Sequence, residues 1–122
     1  MIEVVLSLGS NCGDKLTNIY TALNWLSGLL ENIVSSTIYE TPCARMSDCT
    51  YMNAVVRGLY RHDTRQLDIL LKQYEIEAGR TAERREKGEV PVDLDIVIAD
   101  GEIIKEWDFR QKFFKTGYDQ LK

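Results

Sequence analysis

Hydrophobic positions along the chain alternate between two periods, and the switches mark out the elements. Residues 2–8 are mostly apolar and stop at Gly9-Ser10-Asn11, the pattern of a strand entering a turn. Asp14 is a plausible helix cap, and Leu16, Ile19, Tyr20, Leu23, Leu26 and Leu30 follow at helical spacing, predicting a helix over about residues 15–30. Ile33 to Glu40 is rich in Val, Ile, Thr and Tyr and predicts a second strand, closed by Thr41-Pro42 because proline cannot donate to a sheet ladder. After a polar loop at 43–50, a third strand runs from Tyr51 to Leu59, close enough to pair antiparallel with the second. Asp63 to Gln66 fits a capping box. Leu67, Leu70, Leu71, Tyr74 and Ala78 then form the apolar face of a second helix that should end at Gly79. Residues 80–91 are polar and charged and read as a mobile loop. Val92 to Ala99 is a fourth strand, Asp100-Gly101 signals a tight hairpin into Glu102-Ile103-Ile104, and the tail 107–122 is aromatic and basic with room for a short helix.

The order βαββαβ predicts an α+β, ferredoxin-like fold, an antiparallel sheet with helices packed on one face. Length suits a single domain over 1–122, and no repeat or linker divides it. A net charge of −4 argues against a general nucleic-acid surface. Positive charge is local instead, in Arg80, Arg84, Arg85 and Lys87. No apolar run approaches the ~18 residues of a membrane span, and the first residues lack a signal-peptide pattern, so a cytoplasmic protein is expected. Cys12, Cys43 and Cys49 form no C-x-x-C pair and are odd in number; free thiols are expected, with His62 a surface imidazole.

The segment Asp93-Leu94-Asp95-Ile96 carries the clearest chemistry. On a strand, Asp93 and Asp95 share one face while Leu94 and Ile96 enter the core on the other. Like charges held together oppose each other's ionisation, and a hard divalent ion such as magnesium relieves the conflict. Alone, the pair reads equally as two solvated acids. The cations just upstream add what phosphoryl chemistry needs, charge neutralisation around phosphate, although Glu83, Glu86 and Glu89 mixed among them also fit a solvated charge run. Gly9 to Lys15 lacks the ending of a P-loop and the spacing of a dinucleotide fingerprint. Tyr51-x-Asn53 puts an aromatic ring beside a carboxamide on one strand face, apt for a flat hydrogen-bonding heterocycle or for ordinary cross-strand contacts.

Taken in order, these segments resemble one family. Leu8-Gly9-Ser10-Asn11 with Gly13-Asp14 looks like the opening of the 6-hydroxymethyl-7,8-dihydropterin pyrophosphokinases. Ser35 to Pro42 is similar to their second strand and pterin loop, and Tyr51-Met52-Asn53-Ala54-Val55-Val56 to their third strand. Glu75 to Arg80 resembles the end of their second helix, and Asp93-Leu94-Asp95-Ile96 their metal strand. The resemblance implies transfer of pyrophosphate from ATP to the hydroxymethyl group of a reduced pterin in folate synthesis, releasing AMP. It implies two Mg2+ ions with ATP on Asp93 and Asp95. Thr41, Pro42, Tyr51, Asn53 and Phe114 (or Phe113) would meet the pterin. Glu75, Arg80 and Lys87 would meet ATP, with Arg80, Arg84 and Arg85 acting on the transferred group. The partners implied are the two substrates, with no nucleic acid and no membrane.

The chain departs from the family where the loop before the aspartates usually reads Trp-Gly-Pro-Arg. Here it is Lys87-Gly88-Glu89-Val90, and the usual Pro-His-Pro segment is absent. The alternatives are a catalytically silent pterin- or nucleotide-binding module and a ferredoxin-like interaction domain without a ligand.

Overall fold

The structure, a computed structural model, describes residues 1–43 and 49–121; most of the polar loop expected at 43–50 therefore lies outside the described residues. The chain runs through β1 (Ile2–Ser10), α1 (Lys15–Leu29), β2 (Glu31–Ser35), β3 (Tyr39–Pro42) and β4 (Thr50–Tyr60). It continues with α2 (Thr64–Glu77), α3 (Ala82–Glu86), β5 (Asp93–Ala99), β6 (Glu102–Ile103), α4 (Glu106–Arg110) and α5 (Lys112–Gln120). β1 lies between β4 and β5, β2 and β3 follow one another along the outer edge of β4, and β6 closes the far edge on β5. The described pairings are antiparallel. This is the α+β ferredoxin-like arrangement that the order of elements required.

Local chemistry sets the boundaries. The Asp14 carboxylate accepts from Thr17 N at 3.2 Å at the start of α1. Asp63 and Gln66 complete a reciprocal capping box at the start of α2. Asp100 and Gly101 both take positive φ, 52° and 83°, as a two-residue hairpin with the twist of its strands demands.

Side-chain alternation splits the sheet into two faces. Leu6, Leu8, Val56, Leu94 and Ile96 point to one side and form a core with Ile19 and Leu26 of α1 and Leu67 and Leu71 of α2. Val5, Val55 and Val97 point to the other side and meet Phe114 and Leu121. The tail is thus more than one short helix: α4 and α5 form there, and α5 covers half of the second face. It crosses the sheet so closely that a Cβ on Gly117 would stand 2.6 Å from Val55 Cγ2. Gly117 N donates to the Tyr39 hydroxyl at 3.1 Å, and that hydroxyl in turn donates to Phe113 O. Arg57 Nη1 donates to Leu121 O at 2.6 Å, which fixes the far end of α5.

Three expectations are corrected. The second strand is two strands, because Ser36 interrupts it: its N–H donates to Val55 O at 2.8 Å, while its Oγ, in place of a backbone carbonyl, accepts from Val55 N at 2.9 Å. The 80–91 segment holds a turn of helix, α3, whose start is capped by Thr81 Oγ1 accepting from Arg84 N. Cys43 and Cys49 are not free thiols but a disulfide, and Cys12 remains free. The register explains the pairing. Pro42 lies opposite Thr50, so residues 43 and 49 occupy the next rung, with Cα atoms 5.2 Å apart, within ordinary disulfide range.

Candidate active site

The polar half of the second sheet face carries the site. The ladder sets Asn53, Gly9 and Asp93 side by side across three strands, and two residues further along, on the same face, Val55, Ser7 and Asp95. These side chains face away from α1 and α2. Where α5 stops covering the sheet, all of them except Val55 line a cavity of about 1100 Å³. Gly9 sits in the middle of the row, where a side chain would be tightly placed. A Cβ there would lie 3.3 Å from the ring of Tyr51.

One wall is neutral. Asn53 is buried, and its Nδ2 donates to Thr41 Oγ1 at 2.7 Å and, at 3.3 Å each, to the carbonyls of Tyr39 and Tyr51. Among the described residues its Oδ1 receives no hydrogen bond, so this oxygen is available to a ligand N–H. The Tyr51 ring lies beside it. Burial, then the charge of Asp93, raises the pKa of its hydroxyl. From the tail, Phe113 and Trp107 reach the cavity, with ring centroids 6.1 Å apart.

The floor opposite is ionic. Its side chains form a run of alternating charge: Lys105 Nζ lies 2.5 Å from Asp95 Oδ1, and Lys72 Nζ is 3.3 Å from the same oxygen and 3.2 Å from Glu75. Arg80 Nη1 continues it, 2.8 Å from Glu75 and 3.0 Å from Asp93. Glu75 is nearly fully buried and also accepts from Leu94 N at 2.7 Å, which locks the start of β5 to α2. Burial pushes the Asp93 carboxyl up, to about 7, helped by the hydrogen bond and charge of Asp95 and the charge of Glu75, against the pull of Arg80. Burial also acts on Asp95, but there Asp93, Lys105 and Lys72 outweigh it and hold the carboxyl below the usual range. For Lys72, burial works against the charge and is overcome by Asp95 and Glu75.

The carboxylate pair fits a magnesium ion chemically. Hard oxygen donors on one strand face suit it, and the ion characteristically keeps positions for phosphate oxygens and water. Among the described residues no group of three or more His, Cys, Asp or Glu is arranged to hold a metal.

Comparison with known proteins decides the family. Residues 5–116 match the family model described as 7,8-dihydro-6-hydroxymethylpterin-pyrophosphokinase. The chain belongs to this family. It is 32% identical over 106 residues to the 2-amino-4-hydroxy-6-hydroxymethyldihydropteridine pyrophosphokinase of Aquifex aeolicus, covering 86% of this chain and 66% of that one. It is 34% identical over 97 residues to a folate synthesis bifunctional protein of Arabidopsis thaliana, covering 78% of this chain and 20% of that protein. A mitochondrial folate synthesis bifunctional protein of Pisum sativum is 37% identical over 97 residues, again 78% of this chain and 19% of the relative. The chain thus spans from about a fifth to just under two thirds of the length of these relatives. Among the described residues no helix is long and apolar enough to cross a membrane.

Of the residues singled out from the sequence of this pyrophosphokinase-family chain, Thr41, Pro42, Tyr51, Asn53, Glu75, Arg80, Arg85, Asp93 and Asp95 come together around the cavity. Phe114 does not. It is fully buried on the sheet-facing side of α5, against Phe109 and Tyr118, and its neighbour Phe113 faces the cavity instead. Arg84 turns its Nη1 to Cys12 Sγ at 3.6 Å, and Lys87 is exposed and paired with Glu83; neither lines the cavity. Glu75 has both carboxylate oxygens engaged by protein donors, so it organises Lys72, Arg80 and the strand rather than presenting a free oxygen.

The sequence reading missed Lys72, Lys105 and Asn11. Lys72 lies three residues before Glu75 on α2, a spacing that could have flagged it as a companion of the buried acid. Asn11 fixes the departed loop: its Nδ2 donates to Gly88 O at 2.8 Å and its Oδ1 accepts from Val90 N at 2.6 Å. Lys105 has no motif around it and comes into reach only through the hairpin that precedes it.

Proposed function

We propose that this chain transfers pyrophosphate from ATP to the hydroxymethyl group of 6-hydroxymethyl-7,8-dihydropterin, releasing AMP, in folate synthesis. The observation that carries this reading is the row Asn53–Gly9–Asp93, which sets a hydrogen-bonding neutral wall and a metal-competent carboxylate on the two strands that flank β1, in one cavity. A heterocycle held on the first and a polyphosphate held on the second would meet over Gly9, where no side chain intervenes.

In this reading Asn53 Oδ1 accepts from the ring's N–H edge, with Thr41 and Pro42 lining the same wall. Tyr51 and Phe113 hold the flat ring between them. Asp93 and Asp95 would hold two magnesium ions. Bound there, magnesium would screen the phosphate oxygens and favour attack at the β-phosphorus. Arg80 and Arg85 line the floor as cations for phosphate. The hydroxymethyl oxygen bonds to the β-phosphorus, the bond from that phosphorus to the α–β bridging oxygen breaks, AMP leaves with that oxygen, and the hydroxyl proton is released. Positioning and charge neutralisation carry such a transfer, so the fixed geometry of the neutral wall matters as much as the charges. A cytoplasmic setting belongs to the same proposal.

One observation favours a second reading, binding without turnover: Val90 stands where the family usually has arginine, and Arg84 and Lys87 lie outside the cavity. The test is AMP formation from ATP, magnesium and the reduced pterin, with each omitted in turn. AMP that requires all three supports the transferase. Binding of ATP and pterin with no AMP formed replaces it with the silent module.

A further inference from the structure

The ionic floor has a property that neither the family nor the proposed reaction explains. Followed from residue to residue it runs Lys105, Asp95, Lys72, Glu75, Arg80, Asp93, strictly alternating in sign, with three cations and three carboxylates. A dication arriving alone would therefore meet carboxylates already paired within the run, and would find Asp95 Oδ1 receiving two ammonium groups. A dication arriving with a polyphosphate brings its own negative charge, and the displaced ammonium then has somewhere to go.

The two lysines are not equivalent. Lys72 rises from the packed helix α2 and donates to three acceptors, Glu75, Asp95 and Leu94 O, the last at 2.9 Å. That geometry holds it in place. Lys105 is as exposed as Lys72 but sits in the turn between β6 and α4, and among the described residues its ammonium donates to one acceptor, reaching over the cavity to Asp95. A long, half-exposed lysine on a turn can swing its head group by a few ångströms by changing rotamers, and an ammonium is a compact point charge that suits a phosphate oxygen as readily as a carboxylate.

We propose that Lys105 is a displaceable counter-ion: it occupies Asp95 while the site is empty and moves onto the polyphosphate of the incoming nucleotide when the metal takes Asp95. It is then a specificity-determining residue, since it couples metal binding to nucleotide binding and disfavours the metal alone. It also places at the phosphates a cation from outside the 80–91 segment, whose Lys87 and Arg84 point elsewhere. The inference rests on the nucleotide reading of this cavity, but not on turnover.

The test compares the parent chain with Lys105→Met, Lys105→Gln and Lys105→Arg. Two affinities are measured by calorimetry: that of Mg2+ alone, and that of the non-hydrolysable nucleotide α,β-methylene-ATP in saturating Mg2+. For the Met and Gln variants the two should move in opposite directions. Mg2+ alone should bind more tightly, because Asp95 has lost a competitor. The nucleotide should bind about tenfold more weakly or worse, the scale of one charge-assisted hydrogen bond. Lys105→Arg should restore nucleotide affinity. A merely structural lysine would lower both affinities together, or neither, and either result overturns the proposal. Circular dichroism on both neutral variants separates a folding defect from the effect sought. If the parent binds the nucleotide yet forms no AMP, the transfer reading fails, and the two affinities still decide the role of Lys105. If the parent binds no nucleotide, both fail.

Discussion

The two sides of the cavity are built on different principles. The neutral wall is set by the backbone: Asn53 and Thr41 lie on paired strands, their hydrogen bond is internal, and among the described residues the Asn53 amide oxygen receives no hydrogen bond. The floor is set by side-chain charges that hold one another and have few partners outside their own run. A wall of the first kind is pre-formed and should accept its ligand with little rearrangement. A floor of the second kind is satisfied when empty, and anything that binds there must exchange one set of ion pairs for another. Removing a single member of such a set leaves an uncompensated buried charge and costs more than the pair contributes.

The largest effect should come from breaking the floor. Asp95→Asn removes the carboxylate that two lysines share and that a metal would need. Magnesium-dependent nucleotide affinity and AMP release should fall by about a hundredfold or more, the scale of losing one electrostatic group in a phosphoryl-transfer site. Far-ultraviolet circular dichroism should stay unchanged. Equal nucleotide affinity in calorimetry would remove Asp95 from the metal site.

Breaking the wall should be next in size and selective. Asn53→Ala takes away the free amide oxygen and the bond to Thr41, and should weaken pterin binding by about 1–3 kcal/mol, the cost of an unpaired buried polar edge. Nucleotide binding should change little, because no described hydrogen bond joins Asn53 to the floor. Comparable losses for both ligands would mean a general folding defect rather than a wall.

These two changes concern residues that the sequence made visible, and the reason is periodicity. Asp93 and Asp95, and Tyr51 and Asn53, are two apart on strands, so their shared face follows from alternation alone. The βαββαβ order and both helix caps are equally local. What stayed hidden depends on contacts across the chain. Ser36 splits the second strand through a hydrogen bond to Val55, and Cys43 meets Cys49 because of hairpin register. Lys105 reaches Asp95 only once β6 has turned back. The choice of Phe113 over Phe114 depends on which side of α5 meets the sheet, and Gly117, the point of closest approach, decides that.

Gly117 therefore offers a third break, in the support behind the wall. Gly117→Val puts a side chain where Val55 and the Tyr39 hydroxyl already stand. It should lower stability by about 1–3 kcal/mol, as overpacking does, and loosen Phe113 with it. Urea unfolding reads the first effect and pterin affinity the second. An unchanged midpoint would mean that α5 does not bear on the sheet as described.

The smallest effect is a pH dependence confined to the floor. The Asp93 pKa is raised in the folded, metal-free protein, to about 7 from an ordinary 3.8. The folded state therefore favours the protonated acid. This contribution to stability is complete below about pH 4 and is lost as pH rises towards 7. Asp95, held low, contributes in the opposite sense, and its share is lost only at strongly acid pH. The metal-free chain should thus melt at a lower temperature at pH 7.5 than at pH 5. Asp93→Asn should flatten that slope. A slope unchanged in the variant would assign it elsewhere.

The proposed meeting of wall and floor over Gly9 is tested most directly by following one oxygen. ATP labelled with 18O in the bridge between the α- and β-phosphorus atoms is incubated with magnesium, the reduced pterin and a stoichiometric amount of the chain, and the products are weighed by mass spectrometry. Attack by the hydroxymethyl oxygen on the β-phosphorus leaves the label in AMP and gives an unlabelled pterin pyrophosphate ester, which is the expected result. ADP as the nucleotide product, or label carried into the pterin ester, would contradict it.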